Sequence, residues 1–174
     1  EQFCVRMKEM LGEEYAAFYA SYDLPKYQAL RINPLKTERD TFLLQAPFSL
    51  NRVPWTTNGY YYSGNDQPGR HPYHEAGVYY IQEPSAMAPA EYLMAEPGER
   101  ILDLCGAPGG KSSQIACSMQ GEGLIVCNEI HPARAKILSE NIERMGVCNA
   151  LVTNETPQKL SDNFREYFDR ILVD

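Results

Sequence analysis

The stretch that decides the fold runs from residue 101 to residue 119 and reads ILDLCGAPGGKSSQIACSM. Its first five residues form a short apolar run around one acid, Asp103, which predicts a buried β-strand. GAPGGK at 106–111 is a glycine-rich turn, and SSQIACSM at 112–119 has the composition of a helix. A strand, a glycine turn and a helix in succession predict the opening unit of a parallel α/β sheet.

The residues after this unit repeat the alternation of strand and helix. GLIVCN at 123–128 and ALVT at 150–153 are apolar runs of strand length, and RILVD at 170–174 is a fourth. Between the second and third strands, residues 132–145 place Ala135, Leu138 and Ile142 on one helical face. The fold class predicted for 98–174 is therefore the first half of a Rossmann-like sheet.

The residues before position 98 have a different texture and predict a small α+β module. An amphipathic helix opens the chain and ends before Pro25, and a strand follows at 27–33. A short helix is expected up to about Gln45, and residues 50–75 are rich in strands and loops. A further strand is expected at 77–82. We predict two domains, an accessory module over 1–97 and the α/β unit over 98–174.

Composition limits the classes of partner. The net charge of −7 argues against a surface that attracts nucleic acid as a whole. A local basic stripe exists, however, and it is where RNA would be sought first, with a solvated charged face as the simpler alternative. The stripe consists of Lys26, Arg31, Lys36 and Arg39.

The remaining composition is that of an ordinary globular protein. No apolar stretch is long enough to span a bilayer and no signal-peptide pattern is present, so we expect a cytoplasmic protein without a membrane partner. The five cysteines form no Cys-x-x-Cys pair, which favours free thiols. The three histidines and these cysteines show no metal-ligand spacing, so no metal is expected.

The glycine turn and a later acid predict a nucleoside cofactor. Glu129 ends the second strand nineteen positions after Gly110, the offset at which an acid can accept hydrogen bonds from ribose hydroxyls. A P-loop would need glycine at Cys105, and a dinucleotide fingerprint starting at Gly106 would need glycine at Pro108. S-adenosylmethionine carries no phosphate and remains as the best candidate. The alternative is a tight turn with no ligand.

Four segments resemble the Nop/Sun family of RNA cytosine-C5 methyltransferases. They are LDLCGAPGGKSSQIA (102–116), NEIHPARAKILSENIERMG (128–146), YYIQEPSAM (79–87) and FCVRMKEMLGEEYAAFYASYDLPKYQALRINPLKT (3–37). The last of these resembles the bacterial RsmF-like branch, which modifies ribosomal RNA. The resemblance covers essentially the whole chain and implies an S-adenosylmethionine-dependent enzyme that forms 5-methylcytosine, with ribosomal RNA as its partner.

The resemblance also implies cofactor-binding residues. The loop formed by Cys105, Gly106, Ala107, Pro108, Gly109, Gly110 and Lys111 would hold the methionyl end. Glu129 would hold the ribose. Asn154 is the expected adenine contact, although Thr156 lies nearest the place where the family often has an aspartate. Asp174 would open the family's Asp-Ala-Pro-Cys motif, beside the transferred methyl group.

In the family, the two catalytic cysteines follow that motif, so we assign no catalytic residue to this chain. A thiolate added to C6 of cytosine makes C5 nucleophilic enough to take the methyl group. We expect the catalytic half to lie beyond Asp174 and the present stretch to be inactive by itself. Two alternatives stay open: a non-catalytic adaptor that binds RNA or protein, and a small-molecule methyltransferase. The sequence makes no prediction of the oligomeric state.

Overall fold

The computed structural model describes all residues 1–174 and contains two four-stranded sheets. The strands are β1 (Ala29–Ile32), β2 (Leu50–Arg52), β3 (Gly59–Tyr62), β4 (Tyr79–Ile81), β5 (Arg100–Asp103), β6 (Leu124–Asn128), β7 (Ala150–Thr153) and β8 (Arg170–Leu172). The helices are α1 (Gln2–Leu11), α2 (Tyr15–Ala20), α3 (Arg39–Gln45), α4 (Pro72–Glu75), α5 (Ala88–Leu93), α6 (Gly110–Met119), α7 (Pro132–Arg144) and α8 (Pro157–Asn163).

The first sheet is antiparallel, in the order β2-β3-β1-β4. Its strands agree with the segments predicted at 27–33 and 77–82. Leu30 and Ile32 are buried with Tyr60, Tyr79 and Phe42, the last of which comes from α3. These side chains form the hydrophobic core of the antiparallel sheet.

The single helix predicted at the start of the chain is wrong, because the structure has two. Gly12 ends α1 with a φ of 53°, a left-handed conformation that glycine adopts at little cost. A short 3-10 turn then leads into α2, whose Phe18 contacts Phe3 of α1 with ring centroids 6.4 Å apart. The apolar residues that predicted one helix therefore lie on two helices, which pack against each other.

The second sheet is parallel, in the order β7-β6-β5-β8, and confirms the predicted Rossmann-like fold. Its core includes Ile101, Ile115, Ile125, Leu138 and Ile142, which come from the two central strands and from α6 and α7. Strands β6, β7 and β8 lie within the predicted segments, and β5 begins one residue before the strand predicted at 101–105. Strands β6 and β8 lie on opposite sides of β5, and both are parallel to it. The chain builds β6 and β7 on one side of β5 and then crosses to the other side for β8, so the strand order reverses at β5. Ligands of such sheets bind at the carboxyl ends of the strands where the order reverses.

Helix α8 was not predicted. Its start carries an ordinary signal, since Thr156 Oγ1 accepts a hydrogen bond from Lys159 N at 3.4 Å and Pro157 occupies the first helical position. The resemblance implies that the segment 154–156 contacts the adenine. Of these residues, Thr156 caps α8.

Two residues of the predicted basic stripe make hydrogen bonds that join the two sheets. Lys36 Nζ donates to the carbonyls of Ala76 at 2.7 Å and Arg144 at 2.6 Å. Arg31 is 1% exposed. The stripe as a nucleic-acid surface is therefore wrong at Arg31, whereas Lys36 stays exposed while it holds these two carbonyls. Lys26 and Arg39 are exposed.

A partly exposed ion pair connects β8 to the turn before β5. Arg170 Nε donates to both carboxylate oxygens of Glu99, at 2.9 and 2.8 Å, and Arg170 NH1 reaches Leu93 O at 3.0 Å. The hydrogen bond from Arg170 is the main reason that the pKa of Glu99 lies below its usual range. A depressed folded-state pKa means that the pair stabilises the fold above the usual carboxylate pKa of about 4.3.

We expect Glu99→Gln to lower the Tm by a few degrees at pH 7, because Arg170 loses its anionic partner. The difference from the parent chain should shrink as the pH falls through the folded-state pKa of Glu99, where the parent protonates as well. Thermal unfolding between pH 3 and pH 7 measures this. Glu122→Gln, an exposed acid without an ion pair, is the control. A pH-independent difference would contradict the prediction.

Candidate functional site

The predicted site residues come together where the parallel strands end. Cys105 follows β5, Glu129 follows β6, Asn154 follows β7 and Asp174 follows β8. All four strands run in the same direction, so these positions share one edge of the sheet. The loop over residues 105–111, which we call the cofactor loop, crosses this edge between β5 and α6.

Glycine is required at two positions of the cofactor loop. A Cβ on Gly106 would lie 2.8 Å from Ser112 Oγ and 3.3 Å from Leu138 Cδ2, which is closer than side-chain contacts allow. Gly109 adopts a φ of 114°, where other residues are strained. Gly106 N donates to Asn128 O at 2.7 Å and so fixes the loop to the end of β6.

A cleft of about 470 Å³ opens at this edge, and we call it the strand-end cleft. Its volume is in the range of small-molecule sites. It is lined by Leu104, Cys105, Ala107, Lys111, Asn128, Glu129, Ile130, His131, Arg134, Pro157 and Asp174. Five of these were predicted from the sequence: Cys105, Ala107, Lys111, Glu129 and Asp174.

Glu129 is the most buried charged group of the cleft, at 2% exposure. Its Oε1 accepts from His131 N at 2.9 Å, and its Oε2 pairs with Arg134 NH1 at 3.1 Å. Arg134 NH2 also donates to Ala107 O at 3.0 Å. Arg134 therefore connects the acid to the cofactor loop across the cleft.

The other charges of the site are arranged around the start of α6. Lys111 Nζ forms an ion pair with Asp174. Ser112 Oγ donates to Asp103 Oδ2 at 2.6 Å beneath the loop. Burial raises the pKa of Asp103 above its usual range, while the hydrogen bond from Ser112 and the charge of Lys111 oppose the shift. Asp103 is thus a support of the loop, at 1% exposure.

The remaining loop residues face elsewhere. Gly106, Pro108 and Gly110 line a second cavity of about 230 Å³ on the other side of the loop, together with Tyr80 and Gln82, and we call it the loop-side cavity. Cys105, Ala107 and Lys111 line both spaces. Gly109 lines neither and approaches Leu138 and Asn141 of α7.

Asn154 and Thr156 do not line the strand-end cleft. Asn154 Nδ2 donates to Glu129 O at 2.6 Å, so it holds the backbone of the acid. Thr156 caps α8. Pro157 is the residue of this segment that lines the cleft. An adenine contact from Asn154 stays a prediction, and it would require the amide to leave its present partner.

The cysteines are all free thiols. Cys105 and Cys148 are exposed, whereas burial raises the pKa of Cys117 and raises the pKa of Cys127 to about 12. No cluster of three or more histidine, cysteine or acidic side chains has the arrangement of a metal site. No helix has the length and apolar character needed to cross a bilayer.

The largest depression lies away from the predicted residues. It has a volume of about 720 Å³, and its apolar lining includes Leu102, Leu160, Phe164, Phe168 and Ile171. Its charged lining residues, Asp162, Arg165 and Glu166, belong to α8 and the segment after it and include none of the predicted site residues. We therefore place the candidate site at the smaller strand-end cleft, where the charged groups converge.

Six lining residues of the cleft were not predicted from the sequence, and two of them, Arg134 and His131, have ionisable side chains. Arg134 lies in the first turn of α7, five positions after Glu129. A helix that starts directly after an acid brings its first-turn side chains back toward that acid, so the signal was present. The basic charge of Arg134 had no evident partner in the sequence.

Comparisons with known proteins agree with this geometry. Residues 1–84 match the family of the N-terminal domain of 16S rRNA methyltransferase RsmF, and residues 90–174 match the 16S rRNA methyltransferase RsmB/F family. The chain is 35% identical to the ribosomal RNA small subunit methyltransferase F of Enterobacter sp. (strain 638), covering 100% of this chain and 38% of that protein. It is 36% identical to the corresponding protein of Citrobacter koseri, again over 100% of this chain and 39% of the relative.

A solved structure shares the whole arrangement. The methyltransferase homolog protein from Pyrococcus horikoshii is 29% identical with a TM-score of 0.87, over 99% of this chain and 58% of that chain. The present chain thus spans less than two fifths of the length of the two curated relatives. The two family matches together cover both sheets and the strand-end cleft. The chain belongs to the RsmB/F family of 16S rRNA methyltransferases, in its RsmF branch.

Proposed function

We propose that the strand-end cleft binds S-adenosylmethionine. The observation that carries the proposal is the pairing of charges in the cleft. Lys111 is paired with Asp174 and Arg134 with Glu129, so neither cation is free for a phosphate. A buried carboxylate stands where a ribose would be held. This donor and acceptor set fits a nucleoside without phosphates better than a nucleotide.

Each group has a distinct task in this proposal. Glu129 accepts hydrogen bonds from the ribose hydroxyls, and the cofactor loop surrounds the methionyl end. First-turn amides of α6 have no partners within the helix and are available to the amino acid carboxylate. Asp174, held by Lys111, stands beside the reacting group. S-adenosylmethionine supplies an electrophilic methyl group when it is bound.

The reaction we propose for the whole protein is formation of 5-methylcytosine in ribosomal RNA. The support is the name of the curated relatives, ribosomal RNA small subunit methyltransferase F, together with the family motifs. We assign no cysteine of this chain to catalysis, since Cys127 is buried, Cys117 is partly buried and Cys105 belongs to the cofactor loop. We also propose that the protein acts in the cytoplasm, on bacterial ribosomal RNA.

The proposed division of labour follows the two sheets. Residues 1–97 form the accessory module that faces RNA, and residues 98–174 form the cofactor unit. Apolar packing also crosses that division, since Ala90 of α5 packs in the same cluster as Ile101 and Ile115 of the parallel sheet. The two units therefore share a core at their boundary, so we expect them to act as one body.

Calorimetric titration of the 174-residue chain with S-adenosylmethionine tests the cofactor. We expect saturable binding of one molecule per chain, and weaker or no binding of ATP and NAD, whose phosphates would meet paired cations. Tighter binding of ATP or NAD would overturn the assignment. Absence of binding by all three would favour the adaptor alternative.

Cofactor binding should protect Cys105 from alkylation. Cys105 is exposed and lines the strand-end cleft, so a bound ligand should slow its reaction with iodoacetamide several-fold. Mass spectrometry of timed samples measures the labelling of each cysteine. Cys148 is exposed, lines neither the strand-end cleft nor the loop-side cavity, and is the internal control. Equal labelling of Cys105 with and without S-adenosylmethionine would place the ligand elsewhere.

A further inference from the structure

We propose that Arg31, a residue of the accessory module, is a positioning residue for the methionyl end of the cofactor. It acts by fixing the end of the cofactor loop through the carbonyl of Gly110. This inference rests on the proposed binding of S-adenosylmethionine. Arg31 lies on β1, a central strand of the antiparallel sheet, and is 1% exposed.

The Arg31 guanidinium crosses from one sheet to the other. Its NH2 group donates to Gly110 O at 3.1 Å and to Ser113 Oγ at 2.8 Å, both in the first turn of α6. Its Nε donates to Gln82 Oε1 at 3.1 Å, which fixes the plane of the guanidinium. Gly110 directly precedes Lys111, whose side chain lines the strand-end cleft. Arg31 therefore determines where the loop turns into the helix.

The charge of Arg31 is not needed for an ion pair, because no carboxylate lies within salt-bridge distance of it. Burying a cation among neutral acceptors is costly, and a residue chosen for packing alone would be apolar. The planar guanidinium offers several donors in fixed directions, which suits it to hold Gln82, Gly110 and Ser113 together. We take this costly arrangement as the mark of a positioning role.

The second joint between the sheets provides a matched comparison. Lys36 also crosses from the accessory module and donates to Arg144 O and Ala76 O. It makes no contact with the cofactor loop or with α6. Removing Lys36 should weaken the joint without changing the loop, whereas removing Arg31 should change the loop itself.

The test compares two ligands on the folded 174-residue chain and its variants. S-adenosylmethionine and 5′-methylthioadenosine share the adenosine part, but only the first carries the amino acid part that faces the cofactor loop. We expect Arg31→Lys and Arg31→Ala to raise the Kd of S-adenosylmethionine about tenfold and to change the Kd of 5′-methylthioadenosine by less than about twofold. Lys36→Ala should leave the ratio of the two constants unchanged.

A structural role alone would not change that ratio. Equal weakening of both ligands by the Arg31 variants, or the same change of ratio in Lys36→Ala, would overturn the inference. Arg31→Lys keeps the charge and most of the volume, so it covers the case in which Arg31→Ala does not fold, as judged by thermal unfolding. If the parent chain binds neither ligand, the proposed function itself fails, and that outcome is distinct from an unchanged ratio.

Discussion

We expect the Glu129→Ala variant to bind S-adenosylmethionine about tenfold to a hundredfold more weakly than the parent chain. Hydrogen bonds to a charged, buried group contribute about 1.5–3 kcal/mol, and the Glu129 side chain is the buried acceptor of the strand-end cleft. Its replacement leaves the ribose hydroxyls without that acceptor. Calorimetric titration of both chains gives the two dissociation constants.

Arg134→Ala separates the acid from its ion pair. That variant removes the contact between Arg134 and Glu129 but keeps the carboxylate, which still accepts from His131 N at 2.9 Å. We expect it to bind S-adenosylmethionine at least as well as the parent chain, since the ribose no longer competes with a guanidinium. A loss in Arg134→Ala as large as that in Glu129→Ala would show that the ion pair, and not ribose recognition, is what matters.

The parallel sheet and the site acid could be predicted because their signals are local. Strands β5 and β6 are buried on both faces and appear in the sequence as continuous apolar runs. In the turn after β5, a side chain at Gly106 would lie within 3 Å of Ser112 Oγ. Glu129 ends β6, and parallel strands bring their ends to one edge. Position along the chain was enough to place it.

The contacts of Arg31 and Lys36 that join the two sheets could not be predicted, because the partners of both cations are distant in sequence. Arg31 and Lys36 resemble surface residues within a basic stripe. Their acceptors, Gly110 O and Arg144 O, lie 79 and 108 positions away. Every residue has a backbone carbonyl, so the sequence does not indicate which carbonyl will accept a hydrogen bond from a given cation. The break at Gly12 was missed for a related reason, since helical spacing of apolar residues continues across it.

We expect Gly77→Ala to cause one of the largest losses of stability among single substitutions in this chain. Gly77 has a φ of 67°, and a Cβ there would clash with Arg144 O and lie 2.9 Å from Arg144 C. Both are backbone atoms at the end of α7, so neither can move aside as a side chain can. The free energy of unfolding should fall by about 3 kcal/mol or more, measured by urea denaturation.

Gly12→Ala isolates the two causes of that loss. Gly12 also has a positive φ, 53°, but nothing lies within 4 Å of an added Cβ. Its substitution should therefore cost about 1–2 kcal/mol, the backbone strain of a side chain at positive φ without a steric clash. The excess in Gly77→Ala measures the contact between α7 and the turn after α4, which also holds Asn33 Nδ2 on Gly77 O at 2.8 Å. Equal losses in the two variants would mean that the two sheets are not tightly joined at this turn.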